Sequence, residues 1–250
     1  MIRLGSLLLA MFAVAACAGT ETGNPSFDGT LSYNAHSSDA ARVALLSGDP
    51  GAIVVDNAWL VLGDVGFVEG DACDNTTPTS GHADGLGIGD HAPATAASTP
   101  LSLEAGRYCG VRLPLLHSPD VVQGNVPTDL AGHSVLLLGT LADGRPFSLR
   151  SASEDELFLV ATTDAFELDA ELPDVLIGFD VAAWLGELSW TDAVEEADGS
   201  VRVDATHNEN LLQEFESHLG SGTSLFRDPD GLGQVRVDSE RLAQGTVVAP

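Results

Sequence analysis

The stretch Val135-Leu136-Leu137-Leu138-Gly139-Thr140-Leu141-Ala142-Asp143-Gly144-Arg145-Pro146-Phe147-Ser148-Leu149 decides the fold class. Two apolar runs, Val135 to Leu141 and Phe147 to Leu149, flank Asp143-Gly144. That dipeptide supplies the left-handed backbone that a tight hairpin needs. The pattern continues on both sides. Leu157 to Val160, Phe166 to Leu168 and Val175 to Phe179 give three more short strands. Upstream, Leu101 and Leu103 lead into a turn at Glu104-Ala105-Gly106. Beyond it Tyr108, Gly110, Arg112 and Pro114 alternate with Cys109, Val111, Leu113 and Leu115. Leu31, Tyr33 and Ala35 alternate with Thr30, Ser32 and Asn34, as a half-buried strand does. Many short strands with frequent turns predict a mainly β chain, an antiparallel β-sandwich.

Two segments are less regular. Val43 to Leu46 and Ile53 to Val55 flank Gly48-Asp49-Pro50-Gly51, which predicts a hairpin; a short helix over Asp39 to Leu46, capped by Ser38, is the competing reading. The second arm continues through Trp59 to Leu62 and Val65 to Val68. Glu69 to Pro100 is the longest irregular segment, rich in Gly, Asp, Thr and Pro. The last seventy residues turn helical. Asp180 can cap a helix near 181–188 that Gly186 stops. Thr206-His207-Asn208-Glu209 matches a capping box for a helix over 207–219, with Leu211, Leu212, Phe215 and Leu219 on one face. Val235 and Val237 suggest a final strand. These helices form a small C-terminal annex to one β domain over 27–250; a split near Asp180 is the alternative.

The chain carries 37 acidic residues against 10 basic ones, a net charge of −27, and all ten bases are arginine. Such a field repels nucleic acid and anionic lipid and keeps the protein soluble. Without lysine, Schiff-base chemistry and lysine phosphate cradles are excluded. No G-x-S-x-G elbow or H-E-x-x-H helix occurs, and Gly85 to Gly89 lacks dinucleotide spacing. The sequence offers no catalytic motif, so the expectation is a protein that is not an enzyme.

Arg3 followed by the apolar run Leu4 to Ala13 and small residues before Cys17 describes an export signal, residues 1–16, too short to remain as a membrane span. Val14-Ala15-Ala16-Cys17 resembles the lipobox of bacterial lipoproteins. The resemblance implies acylation of Cys17, palmitate included, and a lipidated flexible tether over 17–26. Gly19-Thr20-Glu21-Thr22-Gly23-Asn24-Pro25 resembles the tether of uncharacterised Gram-negative lipoproteins. Ala18 in place of Asp implies the outer membrane. Leu103-Glu104-Ala105-Gly106-Arg107-Tyr108 is similar to the L-x-A-G-x-Y motif of secreted transthyretin-like domains of unknown function. These motifs imply a fold and an address and transfer no catalytic residue.

Cys73 and Cys109 are an even pair in an oxidising compartment, which predicts a disulfide closing a loop of about 36 residues. Asp228-Pro229-Asp230-Gly231-Leu232-Gly233-Gln234-Val235 resembles a calcium loop, with Asp228 and Asp230 at the first and third positions. Leu232 and Ser239 stand where further oxygen ligands belong, so an acidic turn is the competing reading. His82, Asp84, Asp90, His91, His117 and His133 are ligand types for copper or zinc, without a recognised spacing. Trp59 and Trp184 sit in apolar runs and read as core. Trp190, between Ser189 and Thr191, reads as a contact residue. The leading expectation is an envelope lipoprotein with a binding or adhesion module for an unknown ligand; the alternative is a metal-handling one.

Overall fold

A computed structural model describes residues 24–74, 77–92, 96–121, 124–236 and 238–247. Sixteen strands and two α-helices follow one another: β1 Ser26–His36, β2 Val43–Leu45, β3 Ile53–Leu62, β4 Val65–Glu69, β5 Gly81–Ala83, β6 Gly87–Asp90, β7 Ala97–Glu104, β8 Gly106–Pro114, β9 Val135–Thr140, β10 Pro146–Ser151, β11 Glu156–Ala161, β12 Phe166–Leu168 and β13 Val175–Asp180, then α1 Val181–Leu185, β14 Val201–Val203, α2 Glu209–His218, β15 Thr223–Arg227 and β16 Arg241–Val247. They form two sheets. The ten-stranded one runs β5-β4-β8-β11-β16-β15-β13-β1-β7, with β12 also on β8; the six-stranded one runs β14-β10-β9-β3-β2, with β6 on β3. Most pairs are antiparallel, and β1 with β13 and β10 with β14 are parallel. One interior cluster between the sheets holds Leu31, Val55, Val111, Leu137, Leu159, Ile177 and Leu225. The molecule is thus a β-sandwich with a small helical part.

The large sheet curls until its two ends meet. A Cβ on Gly81 of β5 would lie 2.5 Å from Leu103 of β7. The L-x-A-G-x-Y stretch makes the corner between β7 and β8: the Tyr108 hydroxyl donates to the Glu104 carbonyl at 2.6 Å. Burial of that ring pushes the phenol up to about 12, so it stays a donor. Cys109 leaves the next position of β8 toward the outer face, where it is bonded to Cys73, with Val68 and Phe158 beside it.

The hairpin at Asp143-Gly144 forms as expected. Thr140 faces Pro146, Gly144 takes φ +92°, and the Asp143 carboxylate accepts from the Arg145 amide at 3.1 Å. Helix α1 is capped by Asp180, whose Oδ1 accepts from the Ala182 amide at 3.0 Å, and Gly186 ends it. Its Trp184 is fully buried, 5.7 Å from Phe179 and 6.0 Å from Phe215 of α2. Leu211, Leu212, Phe215 and Leu219 are all buried.

Several expectations are corrected. Val43 to Leu45 and Ile53 to Val55 pair in parallel, Val43 opposite Ile53. Three residues span only about 10 Å, so residues 46–52 suffice to carry the chain back to the start of its neighbour. Asp39 to Arg42 make one turn, in which the Val43 amide donates to the Asp39 carbonyl, and no helix follows. Glu69 to Pro100 contains β5, β6 and the first half of β7. The capping box does not form: Asp204 accepts from the Thr206 and His207 amides instead, and Asn208 starts α2 with φ +53°. Val235 lies outside any strand and the last strand is β16; Val237 is outside the described residues. Trp59 is only partly buried, on the outer face of the small sheet with Val61, Leu130 and Leu136.

Candidate binding cleft

Trp190 opens a short 3-10 turn, Trp190–Asp192, just after α1. Its indole nitrogen donates to the Leu185 carbonyl at 3.0 Å, and its ring leans on Phe147 of β10 at 5.4 Å. Both contacts fix the ring while leaving it partly exposed. An amphipathic ring held this way offers a flat apolar face at low entropic cost to a ligand. It borders an open cleft of about 700 Å³ whose other walls are Ile53, Leu141, Asp143, Arg145, Thr191 and Glu195. Arg145 bridges the two acids of the rim, with Nε donating to Asp143 Oδ2 at 2.7 Å and Nη1 to Glu195 at 3.1 Å. The Arg145 side chain holds the Asp143 carboxyl below the usual carboxylate range, so the pair stays ionised. An apolar floor with an ion pair at its edge can seat a ring and orient its polar substituents. The partial exposure of Trp190 was legible in the sequence from Ser189 and Thr191. Its companions come from the start of β3, the β9–β10 hairpin and residues 190–195, and no local pattern links those three.

The Asp228 segment connects β15 to β16. Asp228 Oδ2 accepts from the Gly233 amide at 2.8 Å, and burial raises its carboxyl above the usual range. Asp230 is partly desolvated, but the Leu232 amide and the Arg236 guanidinium outweigh that and hold its carboxyl low. The two aspartates meet, and each is spent on closing the turn. Among the described residues no group of three or more His, Cys, Asp or Glu is arranged to hold a metal ion.

The histidines are scattered. His82 Nε2 lies 3.4 Å from Thr79 Oγ1, His117 pairs with Glu154 at 3.3 Å, and His133 Nδ1 lies 2.8 Å from the Ala131 carbonyl. Asp90 accepts from Asn57 and from the Ala58 amide, and His91 is buried between the sheets. Sequence proximity in this stretch therefore does not become a ligand set. Cys17 lies outside the described residues; Cys73 and Cys109 form their disulfide.

No protein-family model matches the chain, and no curated protein matches it. Among solved structures, MbnP from Methylosinus trichosporium is similar at 11% identity and a TM-score of 0.43, over 90% of this chain and 100% of that one.

Proposed function

We propose that this chain is an outer-membrane lipoprotein, anchored through Cys17, whose β-sandwich is a non-catalytic binding module with its ligand surface at the Trp190 cleft. The anchor rests on the export signal and the small residues before Cys17. The Cys73–Cys109 disulfide suits the oxidising compartment such a protein reaches. The observation that carries the binding reading is the partly exposed indole, fixed by Leu185 and Phe147 beside an open cleft. The chemistry that fits is a neutral sugar ring: its C–H face lies on the indole and its hydroxyls reach Asp143, Arg145 and Glu195.

Calorimetric titration of the folded body with a panel of neutral oligosaccharides tests the cleft. Binding that weakens about thirtyfold in Trp190→Ala supports it, because a buried tryptophan anchor contributes at least about 2 kcal/mol. Heat from none of the panel, or heat unchanged by the substitution, sinks it. The anchor has its own test: protein extracted from its native envelope should begin at Cys17 and carry acyl mass. A retained Met1 overturns that part alone.

A further inference from the structure

We propose a second binding site, on the outer face of the large sheet, that takes a small carboxylate-bearing molecule through the Arg241 guanidinium. Leu225 and Ala35 face the interior, so the next residues, Phe226 and His36, point outward. With Val235 from the β15–β16 connection they line a pocket of about 570 Å³ whose rim holds Ser38, Arg236 and Arg241. Its floor exists because residue 178 of β13 has no side chain. A Cβ there would lie 2.8 Å from Phe226 and from Val235, and 3.1 Å from His36. A glycine inside a central strand weakens that strand; here it seats three side chains on bare backbone.

Arg241 is unusual in this chain. Arg42, Arg107, Arg112, Arg145, Arg150, Arg202, Arg227 and Arg236 each pair with a carboxylate. Arg241 has no carboxylate partner among the described residues, in a protein with 37 acids. Its guanidinium carbon sits 5.6 Å from the Phe226 ring centroid, and Nη1 donates to Gln244 at 3.3 Å. The planar fork has five donors, so most remain for an acceptor entering the pocket. The acids tied to the rim are already engaged, and Glu240, next to Arg241 in sequence, pairs with Arg227. Asp180 Oδ1 takes the Ser38 and Ala182 amides at 3.0 Å each, and Asp230 is held by Arg236.

A carboxylate matches the fork in shape and charge. The Phe226–Val235 floor adds apolar contact, which favours a carboxylate on a small aromatic or aliphatic body over an inorganic ion. The net charge of −27 opposes anions at long range, but screening within about 8 Å at physiological salt leaves the local guanidinium in control. A compact ligand with one negative charge fits these conditions.

Nitrogen-15 NMR titration of the folded protein with benzoate, and with benzamide as its neutral counterpart, tests the site. Benzoate should give saturable shifts at the Arg241 side chain and at the Phe226 and Val235 amides. Its affinity should fall about tenfold or more in Arg241→Gln, the loss expected for a charge-assisted hydrogen bond. Benzamide should bind the unchanged protein about tenfold more weakly than benzoate does, a comparison that needs no mutant to fold. Trp190→Ala should leave benzoate binding unchanged, which separates this site from the cleft. No saturable shift at these positions, equal binding of benzamide, or unaltered binding in Arg241→Gln overturns the proposal.

Discussion

His91 shows what one residue does for this sandwich. Its amide donates to Ala58 of β3 and its carbonyl accepts from Ala35 of β1, both at 2.8 Å, so a single residue stitches the two sheets. The ring is 1% exposed, 5.3 Å from Phe179 and 6.0 Å from Tyr33. Burial pushes the imidazole down to about 4, against the opposing pull of Asp90. The folded state therefore keeps His91 neutral where the unfolded chain, titrating near 6.5, binds a proton. Its contribution is complete above about pH 6.5 and is lost as pH falls from there toward about 4, by roughly 3 kcal/mol in all. His36 is shifted in the same direction by its burial and adds to the same window. Urea unfolding at pH 7 and pH 4 should show this decline, and His91→Leu should flatten it. An equal decline in that variant would show that other groups carry it. In the sequence, His91 reads as one more potential ligand in a polar loop. Its burial depends on β1, β3 and β13 converging over it, which no local pattern records. Trp190 differs: its polar neighbours Ser189 and Thr191 already separate it from the apolar run around the buried Trp184, although the same signal wrongly places Trp59 in the core.

Among elements, the Cys73–Cys109 bond has the clearest energetic role. It ties the chain leaving β4 to β8, across 36 residues that include the short β5 and β6. Three- and four-residue strands make few ladder bonds of their own, so this segment depends on closure. The chain-entropy relation gives about 3–4 kcal/mol for a loop of this size. Replacing both cysteines by serine should lower the unfolding free energy by about that amount, measured by denaturant melts with the slope checked for unchanged two-state behaviour. A change under about 1 kcal/mol would mean that β5 and β6 are held by their pairing to β4 and β3 alone. The same elements mark where the sequence stops being informative. The β9–β10 hairpin and α1 were legible because Asp143-Gly144 and Asp180 act within a few residues of themselves. β5 and β6 were not, since Gly81–Ala83 and Gly87–Asp90 have little apolar alternation and form only against a partner strand. The parallel β2–β3 pair defeats local reasoning in another way: a turn signal shows that the chain reverses, not how many times it does so before pairing. At α2 the apolar face was legible and the cap was not, because the Asn208 side chain bonds to Val194 and Arg202 rather than to the amides of its own helix.

At the scale of the whole molecule, charge is the dominant unbalanced quantity. Eight arginines are committed to carboxylates, and most of those pairs are at least partly exposed. Exposed pairs contribute about 0–1 kcal/mol each and weaken with salt. The excess acids act in the opposite sense: a net −27 on one body repels itself, and the repulsion is long-ranged. Raising ionic strength from about 0.01 M to 0.15 M shortens the Debye length from about 30 Å to 8 Å. That removes repulsion between acids on opposite faces of the sandwich, while contacts of about 3 Å are screened far less. Repulsion therefore loses more than attraction does, and the melting temperature should rise with sodium chloride through this range. Because the effect is one of screening, it should level off once the Debye length drops below the spacing between neighbouring carboxylates. A melting temperature that falls with salt would mean that the arginine pairs outweigh the excess acids. The compact ion pair Arg112–Glu156, among the least exposed of the set on its arginine side, would then be the first to mutate.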